Sequence, residues 1–187
     1  MKNFSVDIGE RVRVVVIDDD KALGTVLAEG LRQRGYLAEA LCDPREAEEK
    51  VKMLGAQVVL CDICMPGLNG IDLALRLKQR EPATQIIIMT GYASQDTVDE
   101  AFANGVSDYL LKPFHDLQEV FRAVDKAAQR LRACEDEMRA AVRREFPEEY
   151  AILYAAGSSA PPEDIDSLIA EVEQAAAADE TSKGTKA

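Results

Sequence analysis

Five polar residues, Asp18, Asp19, Asp62, Thr90 and Lys112, have the chemistry to move a phosphoryl group onto a carboxylate. Clustered acids bind a divalent cation, because hard cations take oxygen ligands. Such a cation neutralises incoming phosphoryl oxygens while a nucleophile attacks in line. Asp62 is the candidate nucleophile. A hydroxyl (Thr90) and an ammonium (Lys112) complete the set, as groups that hold phosphoryl oxygens. Taken singly, each residue is ordinary. An acid at a strand end is commonly a turn or cap residue. A Lys before Pro is commonly a solvated charge, and a Thr before Gly a turn.

What makes them a set is where they fall. Val12–Ile17 is rich in β-branched residues and stops at Asp18-Asp19-Asp20, which reads as a buried strand with acids at its tip. Val58–Cys61 reads likewise and stops at Asp62, followed by the turn-forming Met65-Pro66-Gly67 and Asn69-Gly70. Gln85–Met89 ends at Thr90-Gly91, and Val106–Leu111 is closed by Lys112-Pro113. Tyr36–Cys42 is a weaker strand. Between these runs lie helical periods. Leu23, Val26, Leu27, Gly30 and Leu31 form one, closing near Gly35. Asp43-Pro44 opens a short second helix, and Asn69 caps a third with Ile71, Leu73, Ala74 and Leu77 on its apolar face. The fourth runs from about Ser94 to Asn104, where Asn104-Gly105 stops it. Strand and helix alternate five times. That predicts an α/β fold with a doubly wound parallel sheet, and ligands bind at the carboxyl ends of such strands.

The bulk numbers set limits. The chain has 187 residues, of which 47% are apolar, so a sizeable core is possible. Its net charge of −12 argues against nucleic acid as a direct partner. No basic, apolar leader opens the sequence and no apolar run is long enough for a bilayer, so the expectation is a cytoplasmic protein with no membrane partner. Cys42, Cys61, Cys64 and Cys134 are expected as reduced thiols.

Four motifs, in order and spacing, resemble the receiver domain of two-component response regulators. They are Ile17-Asp18-Asp19-Asp20; Asp62-Ile63-Cys64-Met65-Pro66-Gly67 with Gly70; Met89-Thr90-Gly91; and Asp108-Tyr109-Leu110-Leu111-Lys112-Pro113-Phe114. The resemblance covers roughly Val12 to Leu131. It implies a flavodoxin-like five-stranded sheet in the order 2-1-3-4-5. It implies that Asp62 is the phosphoacceptor, receiving its group from a histidine kinase or phosphotransfer protein. Asp18, Asp19, Asp62 and the backbone carbonyl of Cys64 are then the protein ligands of Mg²⁺. Thr90 closes on the phosphoryl group, Lys112 pairs with it, and Tyr109 turns inward as the aromatic switch. Asp20 fits a helix cap. Such a protein is a phosphoacceptor and not an enzyme beyond self-phosphotransfer and autodephosphorylation. In the family, Cys64 and Tyr92 lie at positions flanking the path of the hydrolytic water, and here neither offers a water-orienting carboxylate.

Other readings of the same residues are weaker. Cys61-Asp62-Ile63-Cys64 is formally C-x-x-C, but no second pair follows at zinc-finger spacing and the pair straddles a strand end. His115, the only histidine, falls at an expected helix start and reads as a surface residue. Asp18-Asp19-Asp20 contains D-x-D, as in haloacid-dehalogenase-type phosphatases. The alternative function is therefore a metal-dependent aspartyl-phosphate phosphohydrolase, with Asp18 as nucleophile. Asp62 and Lys112-Pro113 fit the receiver reading better.

The remainder divides into a leader (1–11), a helical extension (132–178) and a disordered tail (179–187) around the receiver at 12–131. The last receiver helix is expected to begin at Phe114 and continue to about Glu145, before Pro147. Its apolar positions, Leu117, Phe121, Val124, Ala128, Leu131, Met138 and Val142, follow heptad spacing with Glu135 as the exception. A homodimer through this helix is one expectation. A partner docked on the later stripe Ile165-Leu168-Ile169-Val172 is another, and a solvated appendage is the plain alternative. From Ala133 on there are 13 acids against 5 bases and no helix-turn-helix pattern, so the output is expected to run through protein contacts.

Overall fold

The apolar runs become the strands of one parallel sheet in a computed structural model that describes residues 11–91, 95–147 and 150. The elements alternate: β1 (Arg13–Ile17), α1 (Lys21–Gln33), β2 (Leu37–Leu41), a 3₁₀ turn (Pro44–Glu46), α2 (Ala47–Leu54) and β3 (Val58–Asp62). A small hairpin of β4 (Cys64–Met65) and β5 (Leu68–Asn69) follows, then α3 (Gly70–Arg80), β6 (Gln85–Thr90), α4 (Gln95–Ala103), β7 (Asp108–Leu111) and α5 (Gln118–Glu145). The main sheet has the order β2-β1-β3-β6-β7. That is the expected 2-1-3-4-5, counted without the hairpin. Residues Arg11–Ala141 form one compact unit.

The strands read as unbroken apolar runs because both faces of the sheet are covered. Val14, Val16, Leu60, Ile87 and Met89 point to one side, against α1 and α5. Val15, Ile17, Val59, Cys61 and Ile88 point to the other, with residues of α2, α3 and α4. Register aligns the strand ends: Ile17 pairs with Cys61, Asp62 with Met89, and Thr90 with Leu111. The strand ends that carry the candidate residues therefore lie along one rim of the sheet.

Local signals place the helices. The Asp20 carboxylate accepts from the Ala22 and Leu23 amides and caps α1, as expected of that residue. Asn69 accepts from Ile71 N and caps α3. Gly55, at φ +56, closes α2 in the left-handed conformation. In the first third of α5, Asp125 accepts from Tyr36 Oη at 2.6 Å and from Arg34 at 2.7 Å, tying the helix to the turn between α1 and β2.

Several boundaries differ from expectation. The second helix starts as a 3₁₀ turn, because Asp43 caps Arg45 N and Pro44 tightens the first turn. The fifth main strand begins at Asp108, since Val106 turns into the core below the sheet. Helix α5 begins at Gln118 and not at Phe114, because the Asp116 carboxylate accepts from Gln118 N. Its heptad stripe serves two ends. Phe121, Val124 and Ala128 are buried in the core, whereas Met138 is 63% exposed. All of the leader (1–11) but Arg11, together with Tyr92, the Ile165-Leu168-Ile169-Val172 stripe and the tail (179–187), lies outside the described residues.

Candidate functional site

Three carboxylates meet at the rim. Asp18, Asp19 and Asp62 each offer an oxygen within 4.8 Å of the others. Asp18 follows β1 and is 1% exposed; Asp62 ends β3 and is 5% exposed; Asp19 is exposed. The Asp18 carboxylate is engaged twice, accepting from Asp20 N at 3.0 Å and from Lys112 Nζ at 2.7 Å. Lys112 Nζ also lies 3.3 Å from Asp62 Oδ1. That contact is an ion pair without hydrogen-bond alignment, so Asp62 Oδ1 is buried with no hydrogen bond.

Charge count explains the titration of the pair. Burial is the largest influence on Asp18 and pushes its carboxyl up, with the Lys112 hydrogen bond offsetting only part. Burial alone would lower Lys112, but the Asp18 and Asp62 carboxylates outweigh it and hold the ammonium protonated. One ammonium serves more than one acid, so it is oversupplied with counter-charge and the acids are undersupplied. A raised acid penalises the fold at neutral pH, and the penalty fades as pH falls through its raised value. Asp18→Asn is therefore expected to raise Tm by a few degrees at neutral pH without divalent cation, with a gap that narrows in mild acid. Thermal melts at the two pH values check this. A neutral-pH Tm at or below that of the parent would contradict it.

The remaining candidates ring this cluster. Thr90, at the end of β6, is fully buried, and its carbonyl accepts from Lys112 N at 2.6 Å. This backbone bond carries the chain from β7 across to β6 and seats Lys112 at the acids. Tyr109 lies on β7, with its hydroxyl buried and without a well-aligned hydrogen bond. Burial pushes its phenol up, while the nearby Thr90 hydroxyl pulls the other way. Cys64 is exposed in the hairpin that leaves Asp62. His115 is exposed. Cys61 and Cys64 are both free; Cys61 is buried and its thiol is pushed far up by that burial, so the two do not behave as a redox pair.

One residue matters more than its motif position conveyed. Gly70 starts α3 beneath Asp62, and a Cβ there would run into the Asp62 carbonyl oxygen. Its amide donates to Ile63 O, and Ile63 N donates to Met89 O, so the loop behind Asp62 is stitched on both sides. The Asn69-Gly70 dipeptide signals a turn, but the close backbone approach has no signature in sequence. The same holds for the sharing of Lys112 between Asp18 and Asp62.

Comparison with known proteins agrees with this geometry. The family described as response regulator receiver domain matches residues 14–125. The transcriptional regulatory protein ZraR of Klebsiella oxytoca is 40% identical over 105 residues, which is 56% of this chain and 24% of that protein. The DNA-binding transcriptional regulator NtrC of Escherichia coli K12 is 36% identical over 118 residues, 63% of this chain and 25% of that protein. This chain thus spans about a quarter of the length of those regulators. The crystal structure of a CheY-like response regulator receiver domain protein from Methanospirillum hungatei superposes with a TM-score of 0.61 at 25% identity, covering 68% of this chain and 99% of that one. The matched residues span β1 to α5 and hold the whole acidic cluster, so the chain belongs to the response regulator receiver domain family.

Proposed function

We propose that this receiver accepts a phosphoryl group on Asp62 from the phosphohistidine of a histidine kinase or phosphotransfer protein. The observation that carries the reading is the meeting of three carboxylates within 4.8 Å, with the Lys112 ammonium on two of them. The donors fit Mg²⁺: they are hard oxygens, and one of them, Asp62 Oδ1, is buried without a hydrogen bond. Asp18, Asp19, Asp62 and the Cys64 carbonyl would hold the ion, which supplies positive charge to the phosphoryl oxygens.

The hydrogen bonds distinguish the two candidate nucleophiles. Asp18 is held by two of them, whereas Asp62 Oδ1 makes none. Asp62 is therefore the better attacking group, which favours a phosphoacceptor over a phosphohydrolase using Asp18. In the transfer, an Asp62 oxygen bonds to phosphorus as the P–N bond breaks. The imidazole leaves with the electron pair and takes its proton from water. Lys112 then pairs with the new phosphoryl oxygens, and Thr90 moves to donate its hydroxyl to them. Tyr109 packs into the space vacated by Thr90, and the change is read on the surface of α4, β7 and α5. Phe102 and Leu111, 46% and 56% exposed, give that surface an apolar character that suits a protein partner.

Within this reading, residues 12–131 are the receiver and 132–178 an output extension. The last buried residue of α5 is Ala128, with Leu131 partly packed on the core, which supports a boundary there. Among the described residues no helix is long and apolar enough to cross a membrane; we place the protein in the cytoplasm, where its kinase partners present their phosphohistidine. The acidic balance favours output through protein contacts over nucleic acid, although the name of NtrC attaches DNA binding to that relative.

The test is labelling with acetyl phosphate with and without Mg²⁺, followed by peptide mapping. A hydroxylamine-sensitive adduct on the Asp62 peptide that disappears with a chelator is expected. Multiple turnover on a phosphomonoester without a stable adduct would favour the hydrolase. Cys64 bears on how long the adduct survives. Cys64→Asn adds a group that can hydrogen-bond the attacking water, and it is expected to shorten the phosphoryl lifetime about fivefold, the scale of one net hydrogen bond. An unchanged or longer lifetime counts against that role.

A further inference from the structure

The end of the sheet farthest from the acidic cluster carries the opposite charge. Across β1 and β2, Arg13 pairs with Leu37 and Val15 with Glu39. Val15 points to the α2 side, so Leu37 and Glu39 belong to that same face. Helix α2 is only eight residues long and leaves β2 uncovered there: Leu37 is 47% exposed, and Glu39 is exposed. The space beside it is a groove of about 510 Å³, whose lining includes Arg11, Arg13, Arg32, Leu37, Glu39 and Leu54. Among the described residues, three guanidiniums thus line it against one carboxylate, in a chain whose net charge is −12.

Two of the three guanidiniums are positioned by the main chain. Arg13 donates from Nε to Gly55 O at 3.0 Å, and Arg32 donates from Nε to Ala38 O at 2.8 Å. Arg32 also meets Glu29 at 3.1 Å through Nη1. Anchoring through Nε fixes the plane of a guanidinium, so less freedom is lost when a ligand binds. Leu37 and Leu54 supply an apolar wall to the same groove.

We propose that this groove binds a nucleoside polyphosphate, with the phosphates on Arg11, Arg13 and Arg32 and the base and sugar against Leu37 and Leu54. Planar guanidiniums match pairs of phosphate oxygens. The volume falls in the range of small-ligand sites and is more than a bare phosphate fills. Charge selects a small anion over a long one. Beyond a Debye length of about 8 Å a nucleic acid or an acidic protein surface meets the negative background of the whole chain, whereas a nucleotide feels the local arginines. Glu39 lies two residues along β2 from the level of Arg13, about 7 Å, and holds the affinity down. Asp18 lies five residues past Arg13, about 16 Å along the strand direction. The groove is therefore separate from the acidic cluster, and its ligand stands or falls independently of phosphoryl transfer to Asp62.

The test is calorimetric titration of the full chain with ATP and with GTP, in EDTA so that no metal bridges a nucleotide to the acids. One saturable site is expected. Inorganic triphosphate, which lacks the base and sugar, should bind about tenfold more weakly, and adenosine should not bind measurably. Arg11→Gln removes an exposed charge, so the thermal melt without ligand should hold while ATP affinity falls about tenfold. Leu37→Ser should weaken ATP and leave triphosphate unchanged. Glu39→Gln should tighten ATP about threefold. In ¹⁵N spectra the amide shifts caused by ATP should centre on Arg13 and on Leu37 to Glu39. The proposal is overturned if neither nucleotide binds, or if affinity is indifferent to Arg11→Gln. Equal affinities for ATP and triphosphate would mean an adventitious ion only, and shifts centred on Asp18 and Asp62 would place the nucleotide at the acids; either result overturns it. So does a glutamate-rich peptide that binds more tightly than ATP, which would make the groove a docking site for protein.

Discussion

Asparagine in place of Asp62 is expected to abolish labelling by a phosphodonor and leave the fold intact. The amide keeps the shape of the side chain but has no anionic oxygen to form the P–O bond. Nothing nearby substitutes for it: Asp18 is held by Lys112 and Asp20 N, and Asp19 is exposed at the edge of the cluster. The loss is thus to background, not partial. Stability should hold or rise, because the change removes one member of a like-charged group while the Lys112–Asp18 pair of 2.7 Å remains. Intact-mass measurement after acetyl phosphate, beside a thermal melt, reads both parts. An adduct of parental yield in Asp62→Asn would show that the acceptor lies elsewhere.

Gly70→Ala is expected to have the largest effect on stability. A methyl group there meets the Asp62 carbonyl oxygen and carbon and the Ile63 Cα, all of them backbone atoms held in place. Ile63 is bonded to Met89 O on one side and accepts from Gly70 N on the other, so the loop cannot give way cheaply. Alanine gains about 1 kcal/mol of helix propensity over glycine. The clash costs about 3 kcal/mol or more, at or beyond the usual upper end for overpacking, and wins. The same shift drags Asp62 off Lys112, so labelling should fall together with stability. Gly91→Ala is the control, since a Cβ there meets nothing within 4 Å. Urea midpoints for the two variants decide it: a Gly70→Ala protein as stable as Gly91→Ala would contradict the packing argument.

How much of this was readable in the sequence depends on the range of the interaction. Val14–Ile17, Val58–Cys61 and Ile86–Met89 announced themselves, because a strand covered on both faces has to be apolar throughout. Their terminal acids and Thr90 followed at once. Phe114 opens the apolar period and so masks Asp116 as a cap, which sits two residues before Gln118. The β4–β5 hairpin was too short for periodicity to register. Lys112 reaching Asp18 spans 94 residues, and no local pattern encodes such a contact. Heptad spacing along α5 was legible, but not the point where the core releases the stripe, since burial there depends on how far the sheet extends.

The alignment of strand ends has a practical consequence for anyone preparing this protein. Asp18, Asp62, Thr90 and Lys112 come from the ends of β1, β3, β6 and β7, and a slip of a single residue in any of these strands turns its side chains to the opposite face. Circular dichroism hardly notices such a slip. If Asp62 is the phosphoacceptor as proposed, labelling by a phosphodonor is expected to register it, so the labelled fraction would serve as an assay of correctly refolded material, stricter than any spectrum of secondary structure.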